Sequence, residues 1–277
     1  MVLVGVVVLL PVVVFAYACL ASDFKVGAVG DVALVFTRGQ SIDTEEFALT
    51  LCPAVGPCNE LATEATPRTR FSSRDRTGFA RWFAFDALLR GELSARLAAP
   101  PTLKLLFWGD SIFEAFRGTS YGRPAERAAG NAAVFSRHFA PETTAIQAIS
   151  GDQTQHTLWR LEQRRRSSAA RPPLAAVGVI LIGTNNLGAG FSVADAAAGI
   201  VAVARAARPL HGAIVLCTLL PRGASPPRSP PRSLAAKATQ VKVKATNDLV
   251  RAAVRAEEHG AAPAIVLSEC GGLFDSA

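Results

Sequence analysis

The chain has 277 residues, half of them apolar, which is enough to bury one full hydrophobic core and leave an appendage outside it. Its formal charge of +7 is the excess of 29 basic over 22 acidic residues. The basic residues are 24 arginines and only 5 lysines, and they are scattered along the chain. Because no zinc-finger spacing, RNA-recognition motif or basic-region heptad accompanies them, the composition argues against a nucleic-acid-binding protein.

The chain begins with an uncharged run, residues 2–21, that ends in small residues. Its Ala16-Tyr17-Ala18 matches the small-residue pattern of a cleavage site, so the run predicts a signal peptide. The run is also long enough to span a bilayer, and no lysine or arginine precedes it, so an uncleaved signal anchor is the alternative. Either interpretation predicts the secretory pathway, with the rest of the chain secreted or anchored to a membrane.

Residues 22–77 change character repeatedly and predict a stem or loosely packed extension before a domain at 78–277. In this stretch Cys52 and Cys58 flank the turn-rich PAVGP, where they either close a small loop in an oxidising compartment or remain free thiols. Cys217 lies in the apolar run AIVLCTLL and is expected to be a small buried residue. The five cysteines lack the spacing of metal ligands, so no metal site is predicted.

The domain at 78–277 alternates helical patterns with short apolar runs. Apolar residues recur at three- and four-residue spacing from Phe79 to Leu97, before Pro100-Pro101, and predict an amphipathic helix. The runs that predict strands are 103–108, 143–149, 176–182, 212–219 and 262–267, and the helical stretches between them include 153–165, 193–207 and 234–258. Such strands alternating with helices predict a parallel sheet with helices on both faces.

Two polar stretches of this domain are expected at its surface. Arg164-Arg165-Arg166 closes the helix predicted at 153–165 and reads as a solvated helix end rather than a phosphate site. The proline-rich stretch 221–232 reads as a surface loop rather than a linker or a PxxP ligand, because the strand and helix alternation resumes directly after it.

Polar residues follow the first three strands of the predicted sheet, at the edge where an open parallel sheet has its ligand crevice. Asp110 and Ser111 follow the first strand and place a serine hydroxyl at the start of a helix. Gly151 and Asp152 follow the second strand, where a glycine presents its N–H without a side chain in the way. Asn185 follows the third. Each has an ordinary role in a turn or cap, but a serine beside backbone and amide donors is what acyl transfer requires.

Three blocks resemble blocks I, II and III of the SGNH/GDSL hydrolase family: LLFWGDSIFEAFRG, AISGDQTQHTLWRLE and VILIGTNNLGAG. The likeness covers about residues 103–270 and is strongest to the branch with the catalytic subunits of platelet-activating-factor acetylhydrolase and similar algal and bacterial esterases. It implies a flavodoxin-like three-layer α/β/α sandwich with a five-stranded parallel sheet. It also implies an ester hydrolase that acts on a small-molecule, glycan or lipid ester and needs no metal or organic cofactor.

The resemblance carries over residue by residue. It implies that Ser111 is the nucleophile and that its backbone N–H also serves the oxyanion hole. It implies that the Gly151 N–H and the Asn185 side-chain amide are the other donors of that hole, with Asp110 and Asp152 as supporting residues. No oligomeric state is implied.

The sequence departs from the family in two places. Phe113 stands where the family often has a small hydroxyl residue, which alters the wall of the predicted pocket. The family's block V, Asp-x-x-His, supplies the general base and its orienting carboxylate, and no such motif follows Asn185. We therefore expect a C-terminally incomplete domain that lacks block V and its last helix, and that is nearly inert as printed.

None of the four histidines is a predicted substitute for that base. His156 belongs to block II and is expected to support that loop, His138 and His211 fall in predicted loops, and His259 follows a polar helix end. The alternatives are a catalytically dead SGNH-fold module that binds carbohydrate or lipid, and a glycan O-acetyl transferase or esterase.

Overall fold

A computed structural model describes nine stretches of the chain, namely residues 3–9, 12–18, 24–29, 32–37, 60–68, 78–166, 173–221, 232–257 and 265–270. The chain divides into two compact units, of which the first is Met1–Cys58 with Thr69–Ala80 and the second is Asn59–Arg68 with Arg81–Ala277. Residues 59–68 thus group with the predicted domain although they lie in the expected stem. The predicted divisions at residues 21 and 77 stay predictions.

The first unit contains two antiparallel hairpins. In one, β1 (Leu3–Leu9) pairs with β2 (Val12–Ala18), and in the other, β3 (Phe24–Val29) pairs with β4 (Val32–Thr37). The many valines of these segments favour an extended backbone. Within the described stretches, no helix has the length and apolar character needed to cross a membrane. The signal peptide or anchor stays a prediction, and Cys52 and Cys58 lie outside the described residues.

The second unit is built on a five-stranded parallel sheet. The strands of the unit are β5 (Leu105–Gly109), β6 (Thr119–Ser120), β7 (Arg123–Pro124), β8 (Thr144–Ala148), β9 (Ala175–Leu181), β10 (His211–Cys217) and β11 (Ile265–Ser268). The sheet has the order β11-β10-β9-β5-β8, while β6 and β7 form a small antiparallel hairpin. This strand order is the flavodoxin-like one, and all five predicted runs form its strands.

Helices lie on both faces of this sheet, so the predicted three-layer α/β/α fold is confirmed. They are α1 (Gly78–Leu97), α2 (Ser111–Glu114), α3 (Asn131–His138), α4 (Thr154–Arg166), α5 (Thr184–Gly188), α6 (Val193–Ala207) and α7 (Arg232–Glu257). The four helices predicted from periodicity are confirmed. Residues 222–231 of the predicted loop lie outside the described residues. The described residues do not test the prediction that the last helix is missing.

One face of the sheet packs against α1, α4, α6 and α7. Trp108 of β5 and Gln147 of β8 are register partners and point to this face. The Arg160 guanidinium of α4 lies 5.9 Å from the centre of the Trp108 ring, and the Gln147 amide donates to the Leu89 carbonyl of α1 at 2.8 Å. The helix α6 packs between α4 and α7.

Aromatic rings cover β5 on the other face. Phe107 meets Phe113 of α2 edge-on at 5.2 Å, and it meets Phe135 and Phe139 at 5.4 and 5.3 Å. Edge-on ring contacts of this kind contribute about 0.5–1.5 kcal/mol beyond the burial of their area. Phe113, the residue that departs from the family pattern, is therefore a core residue beneath the start of α2.

The expectation for the arginine run was wrong at one position. Arg165 and Arg166 are exposed, but Arg164 is buried and its Nη2 lies 2.8 Å from Asp86 Oδ1 of α1. The reason is helical periodicity, since Arg160 and Arg164 are one turn apart and share the face of α4 that meets α1. The expectation for Cys217 is confirmed, because this residue is buried at the end of β10.

Candidate active site

The carboxyl ends of β8, β5 and β9 lie side by side. Gly109, the last residue of β5, is the register partner of both Ala148 and Leu181. A Cβ at Gly109 would lie 2.4 Å from the Leu181 carbonyl oxygen, so only glycine allows this approach. The segments after these three strands therefore meet at one edge of the sheet, where the strand order reverses.

Ser111 lies at this edge as the first residue of α2. The buried Asp110 caps the helix, since its Oδ1 accepts from the Ile112 N–H at 2.9 Å and its carbonyl accepts from the Glu114 N–H at 2.9 Å. Ser111 is partly exposed, and we find no hydrogen bond from its hydroxyl to any described residue. The cap thus fixes the backbone at the start of α2, where Ser111 is partly exposed.

Asn185, in the first turn of α5, joins the segments that follow the three strands. Its Nδ2 donates to the Asp152 carbonyl at 2.9 Å and to Asp110 Oδ2 at 3.3 Å. The Gln153 amide donates to the Asn185 carbonyl at 3.4 Å. The Asn185 amide therefore lies at the same edge as Asp110 and Ser111, as predicted from the order of the motifs.

Gly151 lies at the turn after β8 with φ +79°, in the left-handed region. The turn is closed by the Asp152 N–H, which donates to the Ile149 carbonyl at 3.1 Å. A Cβ at Gly151 would lie 2.6 Å from Nη1 of Arg68. The backbone conformation therefore favours glycine here, and the Gly151 N–H makes no hydrogen bond with a described residue.

A buried network of charges lies beneath the crevice. Asp152 accepts from the Trp82 indole at 2.6 Å and from Arg160 at 3.1 Å. Asp86 accepts from Arg160 at 2.9 Å and from Arg164 at 2.8 Å. Two carboxylates thus face two guanidinium groups, which avoids the high cost of an unpaired buried charge.

Burial acts on the pKa of each carboxyl group in this network. It raises the pKa of Asp152 above its ordinary value despite the attraction of Arg160. At Asp86 burial also acts to raise the pKa, but the charges and hydrogen bonds of Arg160 and Arg164 exceed it, and the pKa is lowered. Burial lowers the pKa of Arg164 to about 10. The four side chains tie α1 and α4 to the turn that contains Gly151.

His156 of α4 is occupied by contacts of its own. Its Nδ1 accepts from the Gln153 N–H at 3.0 Å, and its Nε2 lies 3.8 Å from Glu60 Oε2. The ring is buried and makes no hydrogen bond with Ser111. This agrees with the expectation that His156 supports the loop of block II.

Two other histidines were expected in loops, and both expectations were wrong. His138 is the last residue of α3 and is exposed. His211 is the first residue of β10, at the opposite edge of the sheet from Ser111, where Trp108 donates to its Nε2 at 3.2 Å. Burial lowers the pKa of His211. His259 lies outside the described residues.

Two charged residues that were not predicted from the sequence contact the backbone next to Gly151. Glu114 Oε2 accepts from the Ser150 N–H at 2.6 Å, and Arg68 Nη1 donates to the Ser150 carbonyl at 2.7 Å. Nothing in the sequence around Arg68 indicated this, because the segment has no periodic pattern. Glu114 is three residues after Ser111 in α2, where a helical turn points it back beneath the crevice.

The segment 60–68 reaches the site because it docks on α4. The Thr154 hydroxyl donates to the Ala62 carbonyl at 2.7 Å, and the Thr66 N–H donates to the Gln155 carbonyl at 3.1 Å. The Gln155 amide also donates to Glu60 at 2.9 Å. These contacts join a non-periodic stretch to the folded unit through its backbone.

Two concave surfaces lie apart from this edge of the sheet. One, of about 420 Å³, runs along β8 beside α1, and the other, of about 430 Å³, lies between α6 and α7. Neither is lined by residues that follow the strands. In the described part of the chain no group of three His, Cys, Asp or Glu side chains is arranged to hold a metal ion.

Comparison with known proteins identifies the family of the chain. Residues 107–263 match the GDSL-like lipase/acylhydrolase family, and the chain belongs to that family. The family membership predicted from the three blocks is confirmed.

Individual relatives add detail. Over 124 residues the chain is 32% identical to a platelet-activating factor acetylhydrolase IB subunit beta homolog from Drosophila melanogaster, a match that covers 44% of this chain and 47% of that protein. The chain thus spans about half the length of this curated relative.

The chain is also similar to solved structures of other GDSL-type proteins. A GDSL-like lipase from Bacteroides thetaiotaomicron is 18% identical, with 66% of this chain and 78% of that chain covered and a TM-score of 0.45. A member of the lipolytic G-D-S-L family from Veillonella parvula is 14% identical, with 63% and 82% covered and a TM-score of 0.46.

Proposed function

We propose that the edge formed by β8, β5 and β9 is the active site of a serine esterase in which Ser111 carries the acyl group. The observation that carries this proposal is the pair of hydrogen bonds from Asn185 Nδ2 to Asp110 and Asp152, which brings an amide donor and the Gly151 turn beside Ser111. A nucleophile beside donors held in place is the arrangement that acyl transfer requires.

In the proposed reaction a base removes the proton from the Ser111 hydroxyl, and Oγ attacks the carbonyl carbon of the ester. The negative oxygen of the tetrahedral intermediate accepts hydrogen bonds from the N–H groups of Ser111 and Gly151 and from the Asn185 amide. Collapse of the intermediate releases the alcohol and leaves the acyl group on Ser111. Water then attacks the acyl carbon and releases the acid.

The oxyanion would compete with Asp110 for the Asn185 amide. Of the two contacts that Asn185 Nδ2 makes, the one to Asp110 is longer by 0.4 Å, at 3.3 Å against 2.9 Å. The longer hydrogen bond is the weaker, so it is the one that we expect to yield.

The proposed base is none of the four histidines of this sequence. The sequence has no Asp-x-x-His after Asn185, and neither His156 nor His211 makes a hydrogen bond with Ser111. Removal of the base from a serine protease triad lowers turnover on the order of a million-fold. We therefore expect the 277-residue chain to be nearly inert by itself.

Chemical rescue of the missing base tests this proposal. We expect imidazole to raise the rate at which the full chain hydrolyses p-nitrophenyl acetate, after subtraction of the rate with Ser111→Ala, because free imidazole can take the place of the absent side chain. The variant also corrects for imidazole's own attack on the ester. If the two chains hydrolyse the ester equally at every imidazole concentration, Ser111 is not a nucleophile.

A non-catalytic module that binds carbohydrate or lipid is the second candidate. It is favoured by the lack of a described histidine in contact with Ser111. Saturable ligand binding that is unchanged by Ser111→Ala, without turnover in imidazole, would support this candidate over the esterase.

We also propose that the protein acts in the secretory pathway on a small-molecule, glycan or lipid ester. The uncharged run 2–21 and its Ala16-Tyr17-Ala18 pattern support this location, either through a cleaved signal or through an uncleaved anchor.

A further inference from the structure

Ser150, the residue before the proposed oxyanion donor, is held on both sides of its backbone. Glu114 Oε2 accepts from its N–H at 2.6 Å, and Arg68 Nη1 donates to its carbonyl at 2.7 Å. Glu114 is fully buried. The contact from Arg68 involves a guanidinium group, and a charged donor makes such a hydrogen bond shorter and stronger than a neutral one.

The contact from Arg68 has a direct consequence for Gly151. The Ser150 carbonyl and the Gly151 N–H belong to one peptide group, which is planar, and in the trans form the two bonds point in opposite directions. A donor that fixes the carbonyl on one side therefore fixes the N–H on the other. A donor on the carbonyl also polarises the peptide and strengthens its N–H as a donor.

We propose that Arg68 is a positioning residue that aims the Gly151 N–H into the crevice. This inference rests on the proposed function, in which that N–H binds the oxyanion. It also makes segment 60–68, which lies outside the matched residues 107–263, a part of the active site.

Arg68 is itself held by the hairpin of β6 and β7. Its guanidinium lies 5.5 Å from the centre of the Tyr121 ring, a cation–π distance. Tyr121 and Gly122 form the tight turn of the hairpin, with φ of +52° and +72°. The Gly122 N–H donates to Glu114 Oε1 at 2.9 Å, so the two residues that hold Ser150 are linked through this turn.

Arg127 provides a matched control. Its Nη2 lies 3.4 Å from the Ser150 hydroxyl and 3.3 Å from that of Ser120, so it brings a similar charge to the same residue without contacting the peptide. If local positive charge alone mattered, loss of Arg127 and loss of Arg68 would have similar effects.

Crystal structures of the full chain with Arg68→Ala, Arg68→Lys and Arg127→Ala test the proposal without requiring activity. We expect the Ser150–Gly151 peptide to rotate in Arg68→Ala, and to keep its orientation in Arg127→Ala and in Arg68→Lys, which retains one donor. An unrotated peptide in Arg68→Ala would overturn the proposal. If Arg68→Ala does not fold, Arg68→Met, which keeps much of the length of the side chain but has no hydrogen-bond donor, takes its place under the same criterion.

Kinetics in imidazole provide the second readout. We expect Arg68→Ala to lower kcat by about 10- to 100-fold with a much smaller change in KM, because the contact acts on the transition state. Arg127→Ala should change both by less than about twofold. Failure of the proposed function would appear as no Ser111-dependent hydrolysis in the unmutated chain, while the orientation of the peptide would still decide the role of Arg68.

Discussion

Asp86 pairs with both of the buried guanidinium groups beneath the crevice. Its carboxylate meets Arg160 and Arg164 at 2.9 and 2.8 Å, and the partly exposed Arg90 adds a contact at 3.3 Å. A sequence pattern does not reveal which charges on two separate helices will meet. Sequence analysis therefore predicts a solvated end at Arg164, whereas the structure buries it against Asp86.

Replacement of Asp86 by Asn tests the energetic role of this network. The change keeps the shape of the side chain but leaves Arg160 and Arg164 with one carboxylate fewer in a buried site. We expect a loss of about 3–5 kcal/mol in the free energy of unfolding at pH 7, measured by urea denaturation. Glu162→Gln, which weakens an exposed pair with Arg166, should cost less than about 1 kcal/mol.

The stability that is lost in Asp86→Asn should depend on pH. The pKa of Asp86 is lowered in the folded state, so its ionised form contributes stability that is complete above the unfolded value of about 3.9 and is lost as the pH falls through the folded value. The difference in unfolding free energy between the parent chain and Asp86→Asn should therefore shrink below about pH 4. A difference that is constant from pH 7 to pH 3 would contradict the ion-pair account.

At the level of elements, the pattern of hydrophobic residues was sufficient to predict the strands of the sheet and its long helices. Strands buried on both faces read as continuous apolar runs, and helices with one buried face repeat at three and four residues, so both could be predicted. The segment 60–68 could not, because it is joined to α4 by backbone contacts such as that between Ala62 and Thr154. The hairpin around Tyr121 was missed for a similar reason, since its strands have two residues each.

Two glycines in helices test how the segment 60–68 docks. A Cβ at Gly199 of α6 would lie 2.4 Å from the Thr154 hydroxyl oxygen and 2.7 Å from the Ala62 carbonyl oxygen. We expect Gly199→Ala to lower the free energy of unfolding by about 1–3 kcal/mol, because it overpacks this junction. Gly91 of α1 is exposed and has no atom within 4 Å of the same position.

Gly91→Ala is the control for that substitution. It should stabilise the protein by about 0.5–1 kcal/mol, as expected when alanine replaces glycine within a helix. Urea denaturation of both variants measures the two effects. A stabilising effect of Gly199→Ala would contradict the close packing of Ala62 and Thr154 against α6.

At the level of the whole molecule, the candidate site is assembled from parts that are far apart in the sequence. The placement of Ser111, Gly151 and Asn185 after three successive strands could be predicted, because parallel strands end at one edge of their sheet. Arg68 could not be predicted, since its position depends on the docking of a segment without a pattern. In the proposed function no described residue acts as the base, so the residues proposed to hold the acyl group are separate from the group proposed to activate Ser111.

Intact-mass spectrometry of the full chain after incubation with p-nitrophenyl acetate and imidazole tests this account most directly. Because p-nitrophenolate is a much better leaving group than the serine alkoxide, acylation should be faster than deacylation, and the acyl-enzyme should accumulate. The account predicts a mass increase of one acetyl group, located by fragmentation on Ser111 and absent from Ser111→Ala. An unmodified chain, or an adduct that persists in Ser111→Ala, would contradict it.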